Sequence, residues 1–128
     1  MRRVLSALFL LLAVAPAAAQ EWTLAPEYDV LVTSFEIRPE VIRLKAGEPV
    51  RLHFVNNSEQ PHAFVAPAFF RSVDLRGRDR ALVRHGALRL PPLSDETIAL
   101  VPKAGRYAVS GDNLFRRVIG MRARIVVE

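Results

Sequence analysis

The chain has 128 residues, with 18 Lys and Arg against 13 Asp and Glu, a formal net charge of +5. It contains no cysteine, which excludes disulfides, Cys-rich structural zinc and every thiolate-held metal. The positive excess suits an acidic partner or an anionic membrane face and falls short of a nucleic-acid binder's basic stripe.

The first element in chain order is an export signal. Arg2 and Arg3 precede an apolar run from Val4 to Ala15, and Pro16 with Ala17, Ala18 and Ala19 supplies a small-residue cleavage site before Gln20. A bilayer span needs roughly 20 apolar residues, and no segment of the chain reaches that length. The expectation is a cleaved signal peptide over 1–19, one domain over 20–128, no transmembrane span in the mature protein, and a periplasmic or secreted location. A domain of this size buries roughly two-thirds of its unfolded surface, enough for a core without staples.

Short runs of alternating apolar residues follow, punctuated by Pro, Gly and Asn. Tyr28 to Ile37 reads as one strand ended by Pro39, and Val41 to Lys45 as a second that stops at Ala46-Gly47. Pro49 to Asn56 is the clearest: Val50, Leu52 and Phe54 point one way, Arg51 and His53 the other. Asn56-Asn57-Ser58 is a turn signal, and Ala63 to Ala66 is a short extended piece. From Arg71 to Gly86 the chain carries five arginines and two aspartates, a surface excursion with a helical turn or two. Strands resume at 87–90, 95–101, 105–110 and 122–127, and a loop too long for a tight hairpin fills 111–121. Seven or eight short strands without a long helix predict an all-β fold, a Greek-key antiparallel β-sandwich with the excursion around 71–86 laid across it.

Several stretches, in order, resemble the cupredoxins, the small blue copper proteins. They are Phe35-x-x-x-Pro39, Ile42-x-Leu44-x-Ala46-Gly47-x-Pro49-Val50, and Asn56-Asn57-Ser58 with His62 shortly after. His62-x-Phe64-x-Ala66-Pro67-x-Phe69-Phe70 is similar to a bacterial periplasmic subgroup. Pro102-x-Ala104-Gly105-x-Tyr107 and Gly120-Met121-x-Ala123-x-Ile125-Val126-Val127 look like the strands flanking the family's ligand loop. The resemblance implies a copper site of two imidazoles, a thiolate and an axial thioether. The family's spacing, laid from Tyr107, places Met121 as the axial ligand and His62 as the first histidine. It puts Gly111 where the cysteine belongs and Arg116 where the second histidine belongs. A guanidinium stays charged at every relevant pH and opposes a cation, so an Asp112–Arg116 or Asp112–Arg117 pair is expected in the metal's place.

The residues have plainer readings too. His62 can bond a loop carbonyl, and Met121 can fill the core. His53 on a polar strand face reads as solvated, and His85 in the excursion as a remote metal candidate. Phe69 and Phe70 read as core. Arg71, Arg76, Arg78, Arg80 and Arg84 read as a solvated surface or a docking patch for an acidic partner, with Asp74 and Asp79 pairing locally. No Ser-His-Asp order, paired carboxylates or phosphate-cradling glycine loop marks an enzyme. The expected function is that of a non-enzymatic binding or accessory protein without a cofactor, meeting a periplasmic protein partner and no nucleic acid. The alternative is a copper carrier or sensor using His62 and Met121, with His85 or Asp112 as a third ligand. A third reading is a subunit docked through its arginines beside a membrane complex.

Overall fold

A computed structural model of the chain describes residues 21–111 and 121–128. The expected signal peptide over 1–19 lies outside the described residues, as do Asp112, Arg116 and Arg117. The strands are β1 (Glu27–Val32), β2 (Ile37–Arg38), β3 (Val41–Leu44), β4 (Val50–Asn56) and β5 (His62–Val65). A short helix α1 (Pro67–Ser72) precedes β6 (Asp74–Leu75), a 3-10 turn (Gly77–Leu82) and β7 (Val83–Arg84). The chain ends with β8 (Ala87–Leu90), β9 (Ser94–Val101), β10 (Gly105–Ser110) and β11 (Arg122–Val127).

These strands form two sheets, ordered β2-β1-β4-β9-β6 and β3-β11-β10-β5-β8-β7. The expected sandwich is present, but it is not purely antiparallel. β1 runs parallel to β4, and β11 parallel to β3. The chain changes sheets between β2 and β3 and again between β3 and β4, so strands close in sequence become neighbours of strands running the same way. The long strand expected over Tyr28–Ile37 is a hairpin instead. Thr33 folds it back: its Oγ1 accepts from the N–H groups of Phe35 and Glu36 at 3.2 and 3.0 Å, an ST-type turn.

Inward positions follow the period of two that the sequence displays. Val50, Leu52 and Phe54 of β4 are buried, and so are Leu88 and Leu90 of β8 and Ile98 and Leu100 of β9. The two sheets meet through aromatics. Phe54 and Phe64 pack edge to face with centroids 4.8 Å apart, Phe64 contacts Phe70 at 6.2 Å, and Phe69 contacts Tyr107 at 5.4 Å. Pro67 suits the first turn of α1, where its missing N–H leaves nothing unpaired. The helix thereby wedges Phe69 and Phe70 into the end of the sandwich where β5 finishes.

Two glycines mark close approaches. Gly86 (φ +72) completes the two-residue turn between β7 and β8, and a Cβ there would lie 2.6 Å from the Pro67 Cα. A Cβ on Gly105 would lie 2.9 Å from the Tyr107 hydroxyl, which donates to the Lys103 carbonyl at 2.8 Å.

The excursion crosses from one sheet to the other, since β6 pairs with β9 and β7 with β8. Its fastening is Asp79, expected at the surface but buried. One carboxylate oxygen accepts from the Ala99 N–H at 2.8 Å and the pair of oxygens takes the Arg76 guanidinium at 2.8 and 3.2 Å. Removing one member of a buried pair strands the other's charge at a cost of about 3–5 kcal/mol. Asp79→Ala is therefore expected to lose about 3 kcal/mol in urea unfolding, because Arg76 keeps some solvent contact. A loss below about 0.5 kcal/mol, the level of an ordinary surface change, would show that the clamp is not needed.

Candidate functional site

The end of the sandwich opposite α1 gathers the sequence-predicted ligands. β5 and β10 run antiparallel with Ser110 opposite Val65. Leading back along β5 to His62 and onward along β10 to Gly111 therefore reaches the same end. There Gly111 and Met121 are buried and joined, the Gly111 N–H donating to the Met121 carbonyl at 3.0 Å. Met121 belongs to the hydrophobic core, and His62 is buried on the inward side of its strand.

A polar turn built by β4 holds His62. Asn56 ends that strand on its inward side and is buried, which demands full hydrogen bonding. Its Nδ2 donates to the carbonyls of Gln60 (2.9 Å), Leu90 (3.2 Å) and Pro91 (3.0 Å), while its Oδ1 accepts the Ser58 N–H at 3.0 Å. Ser58 Oγ lies 3.0 Å from the Gln60 carbonyl oxygen and 2.7 Å from His62 Nε2. A hydroxyl has one proton to give. Whether it goes to the Gln60 carbonyl or to His62 Nε2 follows the tautomer of the imidazole ring. The Leu93 N–H bonds the Ser58 carbonyl at 3.0 Å, with Leu93 itself at φ +51. Sequence reading sees a turn in Asn56-Asn57-Ser58 but misses these as positioning residues; an inward Asn ending an alternating strand is the available signal.

The other histidines do not converge on this end. His85 is exposed at the β7–β8 turn with φ +52. His62 pairs with Leu90, at the far end of β8 from that turn, and at roughly 3.3 Å per residue the separation exceeds about 10 Å. His85 is thus no third ligand for His62.

His53 faces outward on β4, and it is clasped rather than solvated. Its Nε2 lies 2.8 Å from Asp95 on β9, and its Nδ1 lies 2.8 Å from Asp29 on β1. Both bonds favour the imidazolium. The Asp95 bond leads and the Asp29 bond follows, together holding the pKa above the ordinary 6.5 against slight desolvation. Glu27, Asp29 and His53 bring one ligand atom each within 4.8 Å, a set that could hold a divalent ion. Its charges already have partners, with Arg51 3.2 Å from Glu27 and Asp95 on the second imidazole nitrogen.

The expected arginine patch is also revised. Arg71, Arg78, Arg80 and Arg84 are exposed, but Arg76 is committed to Asp79 and takes no part. Phe69 and Phe70 are core, as expected.

With this geometry the comparisons agree. The Cupredoxin-like domain matches residues 3–127, and the chain belongs to that family. Its structure is similar to auracyanin B at 19% identity, covering 81% of this chain and 89% of that one, with a TM-score of 0.56. It is similar as well to dithionite-reduced auracyanin from the photosynthetic bacterium Roseiflexus castenholzii, at 16% identity over 81% and 97% of the two chains, TM-score 0.57. At such identities the likeness is one of fold. None of the curated proteins matches the sequence of this chain.

The His53 clasp sets a pH dependence. Glu27, Asp29, Arg51 and Asp95 are the charged groups facing it from β1, β4 and β9. A raised folded-state pKa means that the clasp's contribution is complete below about 6.5 and disappears as pH climbs through the raised value. Because both carboxylates are largely exposed, the contribution is at most about 1 kcal/mol. Urea midpoints are expected to fall between about pH 6 and about pH 9 in the parent, more than in His53→Gln. Equal slopes in the two proteins would dismiss the clasp.

Proposed function

We propose that this is an exported, non-enzymatic binding or accessory protein that keeps the cupredoxin scaffold without blue-copper electron transfer. The donor set at the His62 end carries the reading. A blue copper centre requires a thiolate as its soft ligand, and the chain has no cysteine at any position. The family's copper therefore does not fit these residues. Gly111, at the position the ligand spacing gives to cysteine, has no side chain and bonds Met121 through the backbone. His62 is tied to Ser58 and Met121 is packed in the core, which favours structural roles for both. Among the described residues no helix is long and apolar enough to cross a membrane.

One observation favours a second reading, a carrier of copper without thiolate. His62 and Met121 do sit at one end of the sandwich, both buried, with His62 Nε2 2.7 Å from Ser58 Oγ. An imidazole and a thioether are both competent toward copper. Metal content and visible absorbance of the purified protein, followed by titration with Cu⁺ and Cu²⁺, separate the two. The expected result is no blue colour and no binding tighter than micromolar. Stoichiometric, tighter copper that disappears in His62→Ala would overturn the leading reading and establish the carrier.

A further inference from the structure

The two sheets turn chemically different faces to solvent. Outward positions of the five-stranded sheet mix signs, with Glu27, Asp29 and Asp95 set among Arg51 and His53. The six-stranded sheet does not. Alternation places Arg43 of β3, Arg122 and Arg124 of β11, Arg106 of β10, Arg89 of β8 and Arg84 of β7 on its outer side, all exposed. Pairing confirms that they share a face. Arg43 and Arg106 both oppose Val126, while Arg124 opposes Ala108 and Arg122 opposes Ser110.

No strand of this sheet contains an acidic residue. Ion pairs among the described residues engage Arg38, Arg51, Arg76 and His53, and none of these six arginines. Among the described residues two acids border the face: Glu40, beside Arg122 and Arg124 in a shallow hollow, and exposed Glu128, which continues β11 past Val127. Four of the guanidiniums rise from three adjacent strands spaced roughly 5 Å apart, a concentration of like charge that favours an anionic counterpart.

The character of the face selects among anionic partners. A specific protein interface has an apolar or aromatic anchor at its centre. Among the described residues only Ala, Ser and Val stand between these arginines, and the exposed large hydrophobics Leu24, Tyr28, Phe35 and Leu93 lie off this sheet. The cations spread across a six-stranded surface instead of following a stripe, which suits a broad anionic plane better than a nucleic-acid groove. The guanidinium fork matches a phosphate's oxygens. We propose that the outer face of the six-stranded sheet docks on an anionic phospholipid bilayer, its six arginines meeting headgroup phosphates. This goes beyond the accessory role and does not depend on whether the His62 end holds metal.

The test is co-sedimentation of the purified protein with vesicles of phosphatidylcholine alone or mixed with phosphatidylglycerol. Binding is expected only to the mixed vesicles and is expected to fall steeply between about 0.1 M and about 0.5 M salt. Each arginine near an anionic leaflet is expected to contribute about fivefold, so Arg106→Gln/Arg122→Gln/Arg124→Gln together should cost about a hundredfold. Arg78→Gln/Arg80→Gln, in the excursion, should change binding by less than about twofold, since both belong to the 3-10 turn and not to a strand of this sheet. Lysine at the same three positions should restore binding to within a few fold, because a membrane reads charge more than fork geometry. Circular dichroism of each variant shows that the fold is kept, as expected for exposed positions. Equal binding to both vesicle types, an unaffected triple glutamine variant, or tighter binding to duplex DNA than to the mixed vesicles would overturn the proposal.

Discussion

The edge-to-face contact between Phe54 on β4 and Phe64 on β5 joins the two sheets at their centre, and the rest of the structure is arranged around it. With no cysteine to staple the sheets, apolar burial must hold them. Buried aromatics of this size supply much of a small core's area. The chain extends the contact through Phe70, Phe69 and Tyr107, so α1 seals one end of the sandwich with side chains instead of a covalent link. At the other end β4 and β5 deliver Asn56, Ser58 and His62.

Three polar side chains are buried among the described residues, Asn56, His62 and Asp79, and two of them fasten the backbone around them. Asn56 bonds four backbone groups and so sets the shape of the turn that carries His62. Asp79 bonds Ala99 and Arg76 and so fastens the excursion to β9. Both are interior bonds in a low-dielectric setting, where a satisfied group specifies one arrangement and an unsatisfied one is costly. The family scaffold thereby places a histidine beside a serine, and a core methionine, at an end where the chain offers no cysteine.

The two outer faces divide the charge. One neutralises itself through Arg51–Glu27 and the His53 clasp, and the other leaves its arginines without acidic neighbours on the same strands. Long arginine stems can lie over small residues such as Ala108 and Val126 while their heads reach solvent. That accounts for a sheet face that is both shielded and strongly basic. Docked on a membrane by this face, as proposed above, the protein would leave the mixed-sign face turned to solvent.

Much of this was legible in the chain itself. The strand limits at 87–90, 105–110 and 122–127 follow from alternation and turn residues, and so do the inward Val50, Leu52 and Phe54. These properties are local: a period of two is written residue by residue and does not depend on which strands later pair. The absence of thiolate chemistry likewise needs only composition. Other features belong to the tertiary structure. The parallel pairing of β1 with β4 and of β3 with β11 depends on how the chain crosses between sheets, and the break of Tyr28–Ile37 into a hairpin depends on the Thr33 turn. Burial of Asp79, the clasp on His53 and the separation of His85 from His62 arise where residues far apart in sequence meet. The basic face is the clearest case: its six arginines are scattered from Arg43 to Arg124, and only strand register brings them to one side. Sequence determined the period, the core and the absence of any thiolate; pairing between distant strands decided which charges are neutralised and which are left facing outward.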